Sequence, residues 1–334
     1  MKKTNKIFFT TLLYASALII WLALNKLTGE HFWWMTVLNA VVPYLFIPAL
    51  PLALLVATQP GRQRFVRTVA ALIIPLVIFL LLYWPYVLPR PPIPVTPPVL
   101  SVMTYNILFS NENYDAIAAV IRTQQPDLVA LQEVQPAAMA ALQSRLQKQY
   151  PYTLLATPHP YGTTAILSRH AFIDTHIVGL HADRPALVVK IKVAGQEITF
   201  ATAHLLAYGL QWVPWYQIPA VMNERTQAQN LQTKTLLAVL DKVAGSVILA
   251  CDCNSKEANS SYQLLAQRLT NVVRQLGWRL GASHSSAVKQ DRDLQHIDYI
   301  FYKSNQLQPV DAYKTQDAGG SDHLPLIALF NMTK

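Results

Sequence analysis

The chain has 334 residues, of which 52% are hydrophobic and only 13% charged. Soluble domains carry about 25% charged residues, so part of this chain is expected to sit in lipid; the length allows one large domain plus a membrane segment. The net charge of +9 invites a nucleic-acid reading, but eight basic residues and one acid, Glu30, fall within residues 1–98, and the 19 basic and 17 acidic residues of 99–334 leave only +2. No basic stripe of the kind that tracks a phosphate backbone is present.

Three apolar segments open the chain, at about 7–24, 35–57 and 66–88. Each has the roughly 17–25 residues that cross a bilayer. Pro43, Pro48 and Pro51 predict a kink or break in the second. Lys2, Lys3 and Lys6 ahead of the first resemble the start of a signal peptide. No small-residue cleavage site follows, and two further spans do, so this helix is read as uncleaved.

Lys2, Lys3 and Lys6 flank the first segment, and Arg62, Arg64 and Arg67 lie between the second and third. The loop between the first two has only Lys26, opposed by Glu30, with Trp33 and Trp34 nearby. The positive-inside rule puts the N-terminus and the Arg loop in the cytoplasm, and three crossings place everything after Leu88 outside. Residues 89–98, PRPPIPVTPP, favour a polyproline II spacer. It is expected to lift the following domain off the membrane by at most about 30 Å.

From 99 onward short apolar strands alternate with helical stretches. The strands expected are Leu100–Tyr105, Leu128–Gln132, Thr164–Ser168, Ala186–Val193, Glu197–Ala203, Val247–Cys251, His296–Tyr302 and Leu324–Phe330. The helices are Asn113–Gln124, Ala137–Gln149 and Glu224–Val243, the last with an apolar stripe of Leu231, Thr235, Leu236, Val239 and Leu240. A mixed α/β domain over 99–334 follows. The two cysteines, Cys251 and Cys253, would lie about 6.5–7 Å apart at i, i+2 of a strand. That spacing suits a bridge poorly, so two buried thiols are expected.

Five strand ends carry a ligand-type or acid–base residue: Thr104-Tyr105-Asn106, Leu131-Gln132-Glu133, Thr202-Ala203-His204, Cys251-Asp252-Cys253-Asn254 and Ser321-Asp322-His323. A sixth segment, His296-Ile297-Asp298-Tyr299, puts an acid inside a strand. Taken singly, each has a plain alternative as a turn, a surface carboxylate or a core histidine. Oxygen ligands from Asn, Glu and Asp suit Mg²⁺ or Mn²⁺. The absence of a Cys/His cluster at zinc spacing speaks against zinc. The histidines suit acid–base work and contact with phosphate oxygens.

In their order along the chain, from about Val99 to Phe330, these six segments resemble the endonuclease/exonuclease/phosphatase superfamily. The resemblance implies an α/β fold of two β-sheets packed face to face with helices outside. It implies Glu133 as the principal metal ligand, Asn106 beside it, and Asp322 as a further metal-side carboxylate. By the same resemblance Asp252 orients or deprotonates the attacking water and Asn254 contacts phosphate. His204 would hold a phosphoryl oxygen or help the leaving group. His323 would polarise phosphate or activate water, oriented by Asp298. The family's usual Gly-Asp-Phe-Asn stands here as Ala250-Cys251-Asp252-Cys253-Asn254, which keeps both polar residues. Tyr161-Gly162-Thr163 also fits, in a positioning role for Tyr161; for Asp127 and Arg225 structural roles are expected.

Directly after His204, residues 205–222 hold Tyr208, Trp212, Trp215 and Tyr216 and no charge. One reading is a cap on the domain's own core. The other is an apolar lip, with Trp212 and Trp215 meeting lipid beside the site. The layout resembles bacterial membrane phosphatases associated with teicoplanin resistance, which implies an envelope lipid, undecaprenyl-type or other, as substrate. The expectation is a metal-dependent hydrolase of a lipid-linked phosphate, pyrophosphate or phosphodiester at the outer membrane face. A tethered exported nuclease and a non-catalytic module of the same fold are the alternatives. The bilayer and a phosphorylated substrate are the expected partners, nucleic acid less so, and no protein partner is predicted.

Overall fold

The computed structural model describes residues 5–59, 61–88, 90–210, 213–277 and 296–333. Helices α1 (Asn5–Thr28) and α4 (Arg62–Val87) are long and apolar enough to cross a membrane, with mean hydropathy of 2.2 and 2.6. Between them run α2 (Trp33–Ala40), a 3₁₀ turn (Val42–Phe46) and α3 (Ala49–Val56), bent by 72°. Pro43 and Pro48 stand at these junctions, where a missing N–H donor ends a regular helix. By length and composition the bent pair could form one broken span or a re-entrant loop. Trp21, Met35, Val42, Phe46 and Ile78 bind these helices into a small core.

The rest of the chain forms two six-stranded mixed sheets. The first has the order β11 (Leu307–Lys314), β12 (Leu326–Met332), β1 (Val99–Asn106), β2 (Leu128–Val134), β4 (Thr163–Ser168) and β3 (Tyr152–Leu155). The second has the order β5 (Phe172–Val178), β6 (Ala186–Val193), β7 (Gln196–His204), β8 (Ser246–Asp252), β10 (Asp298–Lys303) and β9 (Thr270–Asn271). Each sheet holds one parallel pair, β1 with β2 and β7 with β8. The crossovers are helices α5 (Tyr114–Gln124) and α7 (Ile218–Leu240).

Side chains alternate across each strand. Leu100, Val102, Leu128 and Ala130 therefore meet Val189, Phe200, Ile248 and Ala250 between the sheets. Met103, Tyr105, Val129 and Leu131 point outward under α5 and α6 (Pro136–Leu146). Ala201, Ala203, Leu249 and Cys251 pack outward with Leu236 and Leu240 of α7 and Tyr262 of α8 (Ser260–Ala266). With both faces covered, the central strands read as continuous apolar runs. The result is the expected two-sheet α/β sandwich.

Several expectations are corrected. Strands β3, β5, β9 and β11 and helices α8 and α9 (Val272–Leu276) lay outside the sequence reading. β3 has four residues, β5 is exposed along its middle, and β11 carries Pro309 at a register shift; such edge strands lack a clean buried period. Helix α7 begins at Ile218, so the apolar segment after His204 runs into its first turn. Its stripe is displaced: Leu231 is exposed, while Thr226, Gln229 and Gln232 are buried with Leu236 and Leu240. Cys251 and Cys253 are disulfide-bonded with Cα atoms 5.4 Å apart, not free thiols. β8 ends at Asp252, between the cysteines, and their 5.4 Å Cα spacing is shorter than the i, i+2 spacing of a continuous strand.

The proline segment does not hold the domain away from the helices. Asn331 ties it down, its Nδ2 donating to the Pro94 carbonyl and its Oδ1 accepting from Thr96 N, each at 2.9 Å. Ile93 packs against the inter-sheet core. The domain then meets the N-terminal helices directly. Glu30 Oε1 accepts from Asn39 at 3.1 Å and from Asn259 at 2.5 Å, and its Oε2 accepts from Ser260 N at 2.8 Å. The Thr36 and Thr226 hydroxyls lie 3.2 Å apart, and Tyr86 donates to Glu257.

Candidate active site

The parallel pairs carry polar residues to one end of the sandwich. Asn106 closes β1, and Glu133 lies one residue from the end of β2. His204 closes β7 beside Asp252, which closes β8, and Asp298 opens β10 opposite Asp252. Carboxyl ends of parallel strands are the usual place for a site in α/β sheets. Beneath them Gln132 Nε2 donates to the hydroxyls of Thr104 and Thr202, each at 3.1 Å, tying the sheets together.

Glu133 is held in an unusual way. The β2–β4 register shifts between Leu131 and Val134, and Glu133 has φ 61°. A Cβ at Gly162 would lie 2.3 Å from the Glu133 carbonyl carbon, so only glycine allows this approach. The strained backbone faces the site, as strain at functional positions often does. Phe109 N donates to Glu133 Oε2 at 3.0 Å.

Asn106 joins two carboxylates, its Nδ2 donating to Glu133 Oε1 at 3.1 Å and to Asp252 Oδ2 at 3.0 Å. Its Oδ1 accepts from Leu108 N at 3.0 Å, which fixes the amide orientation. His323 Nδ1 lies 2.8 Å from Asp298 Oδ2, and its Nε2 lies 3.9 Å from Asp252 Oδ2. Burial alone would lower the His323 imidazole. The Asp298 bond and the charges of Asp298, Asp252 and Asp322 outweigh it and push the group up to about 10. Burial pushes the Asp252 carboxyl up to about 7, with Asp298 adding to this and His323, Asn106 and the Asn254 backbone N–H holding it back.

His204 is the opposite case. Burial, then the charge of Arg184 and of His323 and His159, hold it well below the usual histidine range. The neutral ring accepts from Arg184 Nη1 at Nδ1, 2.9 Å away. Its Nε2 then carries the proton and faces Asp252 Oδ2 at 3.5 Å and Glu133 Oε1 at 3.8 Å.

The structure thus brings together Asn106, Glu133, His204, Asp252, Asp298 and His323. Asn254 stands beside them, but its Nδ2 donates to the Leu205 carbonyl at 2.9 Å and its N–H to Asp252 Oδ1 at 3.1 Å. Asp322 is exposed next to His323. Tyr161 is 59% exposed at the rim, edge-on to Phe109 at 5.7 Å. Trp215 is 81% exposed, and Trp212 lies outside the described residues. Asp127 accepts from Ser101, and Arg225 donates to the Ala207 and Tyr208 carbonyls, both structural roles. Arg184 was missed, because a lone Arg-Pro in a turn carries no sequence signal. It lines a small recess with Thr163 and His204, where the Thr163 hydroxyl is buried without a partner.

Ligand atoms of Asp252, Asp298 and His323 lie within 4.8 Å of one another and could hold a metal ion. Asp298 Oδ1 is buried without a partner, an acceptor suited to a cation or water. With Glu133 and Asn106 adjacent, the donor set is oxygen-rich, which fits a hard divalent cation.

The profile of the Endonuclease/Exonuclease/phosphatase family matches residues 103–323, from β1 to His323. The chain belongs to this family. Among curated proteins none matches it. Among solved structures it is similar to D. rerio TDP2 complexed with a single-strand DNA product, at 20% identity and TM-score 0.55, covering 70% of this chain and all of that one. The human Nocturnin catalytic domain with bound sulfate gives 20% identity and TM-score 0.54, covering 73% of this chain and all of that one. A family protein from Beutenbergia cavernae gives 23% and 0.53, covering 70% and 72%. These likenesses establish the fold. Family and site together are consistent with a metal-dependent phosphoester hydrolase or nuclease.

Proposed function

We propose that the chain hydrolyses a lipid-linked phosphate, pyrophosphate or phosphodiester at the outer face of a membrane. The observation that carries this reading is the convergence of Glu133, Asn106, Asp252 and the His323–Asp298 pair beside helices apolar enough to span a bilayer. Glu133, Asp252 and Asp298, with Asn106 and His323 at hand, would hold Mg²⁺ or Mn²⁺. Asp322, exposed as it stands, is a further ligand candidate. The metal, when bound, supplies charge neutralisation at the phosphoryl group. The half-buried Arg184 and the Thr163 hydroxyl offer donors to phosphoryl oxygens in the adjoining recess, and fixed donors of this kind stabilise developing negative charge. Neutral His204 presents Nε2–H to the same region, placed to steady a phosphoryl oxygen or a leaving oxygen. Asp252, buried beside Asn106 and His323, is the carboxylate placed to orient or deprotonate the attacking water. Asn254 fixes the Asp252 loop.

Helices α1 and α4 would cross the membrane from the same side. The end of α1, Glu30, Thr36 and the end of α4 all meet the catalytic domain. Arg62, Arg64 and Arg67 begin α4 at its far end, so the positive-inside rule favours an external domain. The Cys251–Cys253 disulfide suits an oxidising compartment. The exposed Trp215 and Tyr216, in the segment that follows His204 in the chain, suit contact with lipid. A nuclease is the second reading, favoured by the DNA bound to the TDP2 neighbour. A panel with Mg²⁺ separates them: polyprenyl pyrophosphate, phosphatidyl lipids, sphingomyelin, single- and double-stranded DNA, and a generic bis-phosphodiester. Preferential turnover of a lipid is expected; faster cleavage of DNA than of any lipid would overturn the lipid reading.

A further inference from the structure

A cavity of about 640 Å³ opens where α1 and α4 meet α7 and α8. It shares no lining residue with the recess beside His204. One wall is apolar and comes from the N-terminal helices, through Trp21, Leu22, Val42 and Leu82. The other is cationic, with Lys26 at the end of α1, Lys234 on α7 and Arg274 on α9. Arg274 is neutralised by Glu257 at 2.8 Å. Lys26 and Lys234 have no ion-pair partner among the described residues, so the lining keeps an excess of two positive charges. Asn230 Oδ1, also on the lining residues, is shielded from solvent and unpartnered.

Trp21 and Lys26 are five residues apart on one helix, a rise of about 7.5 Å. Over that distance the wall changes from apolar to cationic, which is the profile of a bilayer interface. A free anion has no use for the apolar wall, and a neutral lipid has none for the two lysines. The volume falls in the usual 300–1,000 Å³ range of small-molecule sites and suits a headgroup with the upper part of its chains. We propose that this cavity binds an anionic glycerophospholipid of the surrounding bilayer, its phosphate at Lys26 and Lys234 and its chains along Trp21, Leu22 and Leu82. The proposal rests on the reading that α1 and α4 span a membrane. The lipid would be a resident ligand, distinct from the substrate. The loop from Asn254 to Ser260 touches the active site at one end and this cavity at the other, so occupancy steadies the loop that follows Asp252.

The test uses the full-length chain purified in mild detergent and reconstituted in phosphatidylcholine nanodiscs containing phosphatidylglycerol. Native mass spectrometry after release counts the retained lipid. Wild type is expected to retain phosphatidylglycerol over phosphatidylcholine. A Lys26→Ala/Lys234→Ala variant should retain it roughly tenfold less or lower still, since each lysine near an anionic headgroup contributes several-fold in affinity. A Lys148→Ala/Lys192→Ala variant, equal in charge change and remote from the cavity, should match wild type. Equal retention of the two lipids by wild type, or equal loss in both variants, would overturn the lipid site. A chain that leaves cells in buffer without detergent would overturn the membrane reading itself, and the site with it.

Discussion

Asp252 is 1% exposed and lies between two histidines of opposite protonation. His204 is held neutral by burial and then by Arg184, whereas at His323 the Asp298 bond and nearby carboxylates outweigh burial. Glu133→Gln, Asp252→Asn and His323→Ala are each expected to lower hydrolysis about 10²–10⁴-fold while the protein still folds. EDTA should silence the wild type, and Mg²⁺ or Mn²⁺ should restore it; normal turnover in chelator would refute the mechanism. The His323 charge also predicts a pH effect on the metal-free protein. Its imidazole is raised from 6.5 to about 10, so its contribution to stability is complete below pH 6.5 and fades as pH approaches 10. In chelator, the melting-temperature gap between wild type and His323→Ala should narrow over that window. A gap independent of pH would mean that the Asp298 pair adds nothing to folding.

At the scale of elements, the segment after His204 joins the site to the helix face that meets the N-terminal helices. Tyr208 hydroxyl reaches Thr226 and Gln229, each at 3.3 Å, and Gln229 Nε2 donates to the carbonyls of Leu206 and Asn254. If this segment presents lipid, replacing Trp212 and Trp215 with Ser should cut kcat/KM for a lipid substrate at least about tenfold, because one large apolar contact is worth about 1.5–3 kcal/mol. A small soluble phosphodiester should be spared. Equal losses on both substrates, together with a lower melting temperature, would mark the segment as a core cap. Central strands and their terminal polar residues were legible because buried alternation and ligand-type residues coincide there. Arg184, the bulge at Glu133 and the polar face of α7 were not. Each depends on what the folded partner supplies: His204 for Arg184, Gly162 for Glu133, and the carbonyls of Leu206 and Asn254 for Gln229. The cysteine bridge was misjudged for a similar reason, since a continuous strand was assumed where β8 ends at Asp252.

On the scale of the whole molecule, the domain from Val99 onward is expected to be accessible to protease added to intact spheroplasts. Its protection until lysis would reverse the orientation. The polar seam between the halves has a practical consequence. Glu30 accepts from Asn39, Asn259 and Ser260 N together, and Glu30, Asn39 and Asn259 are buried. A soluble fragment cut at Val99, the obvious expression product, would leave the Asn259 amide without Glu30 and the Thr36 carbonyl, and Thr226 without Thr36. Each buried polar group left unsatisfied costs about 1–3 kcal/mol. Such a fragment should melt several degrees below the intact chain in detergent and turn over even a soluble diester more slowly, because the loop that starts at Asn254 ends at that seam. Kinetic constants taken from the fragment would then describe a loosened enzyme, and adding back detergent or lipid would not repair it.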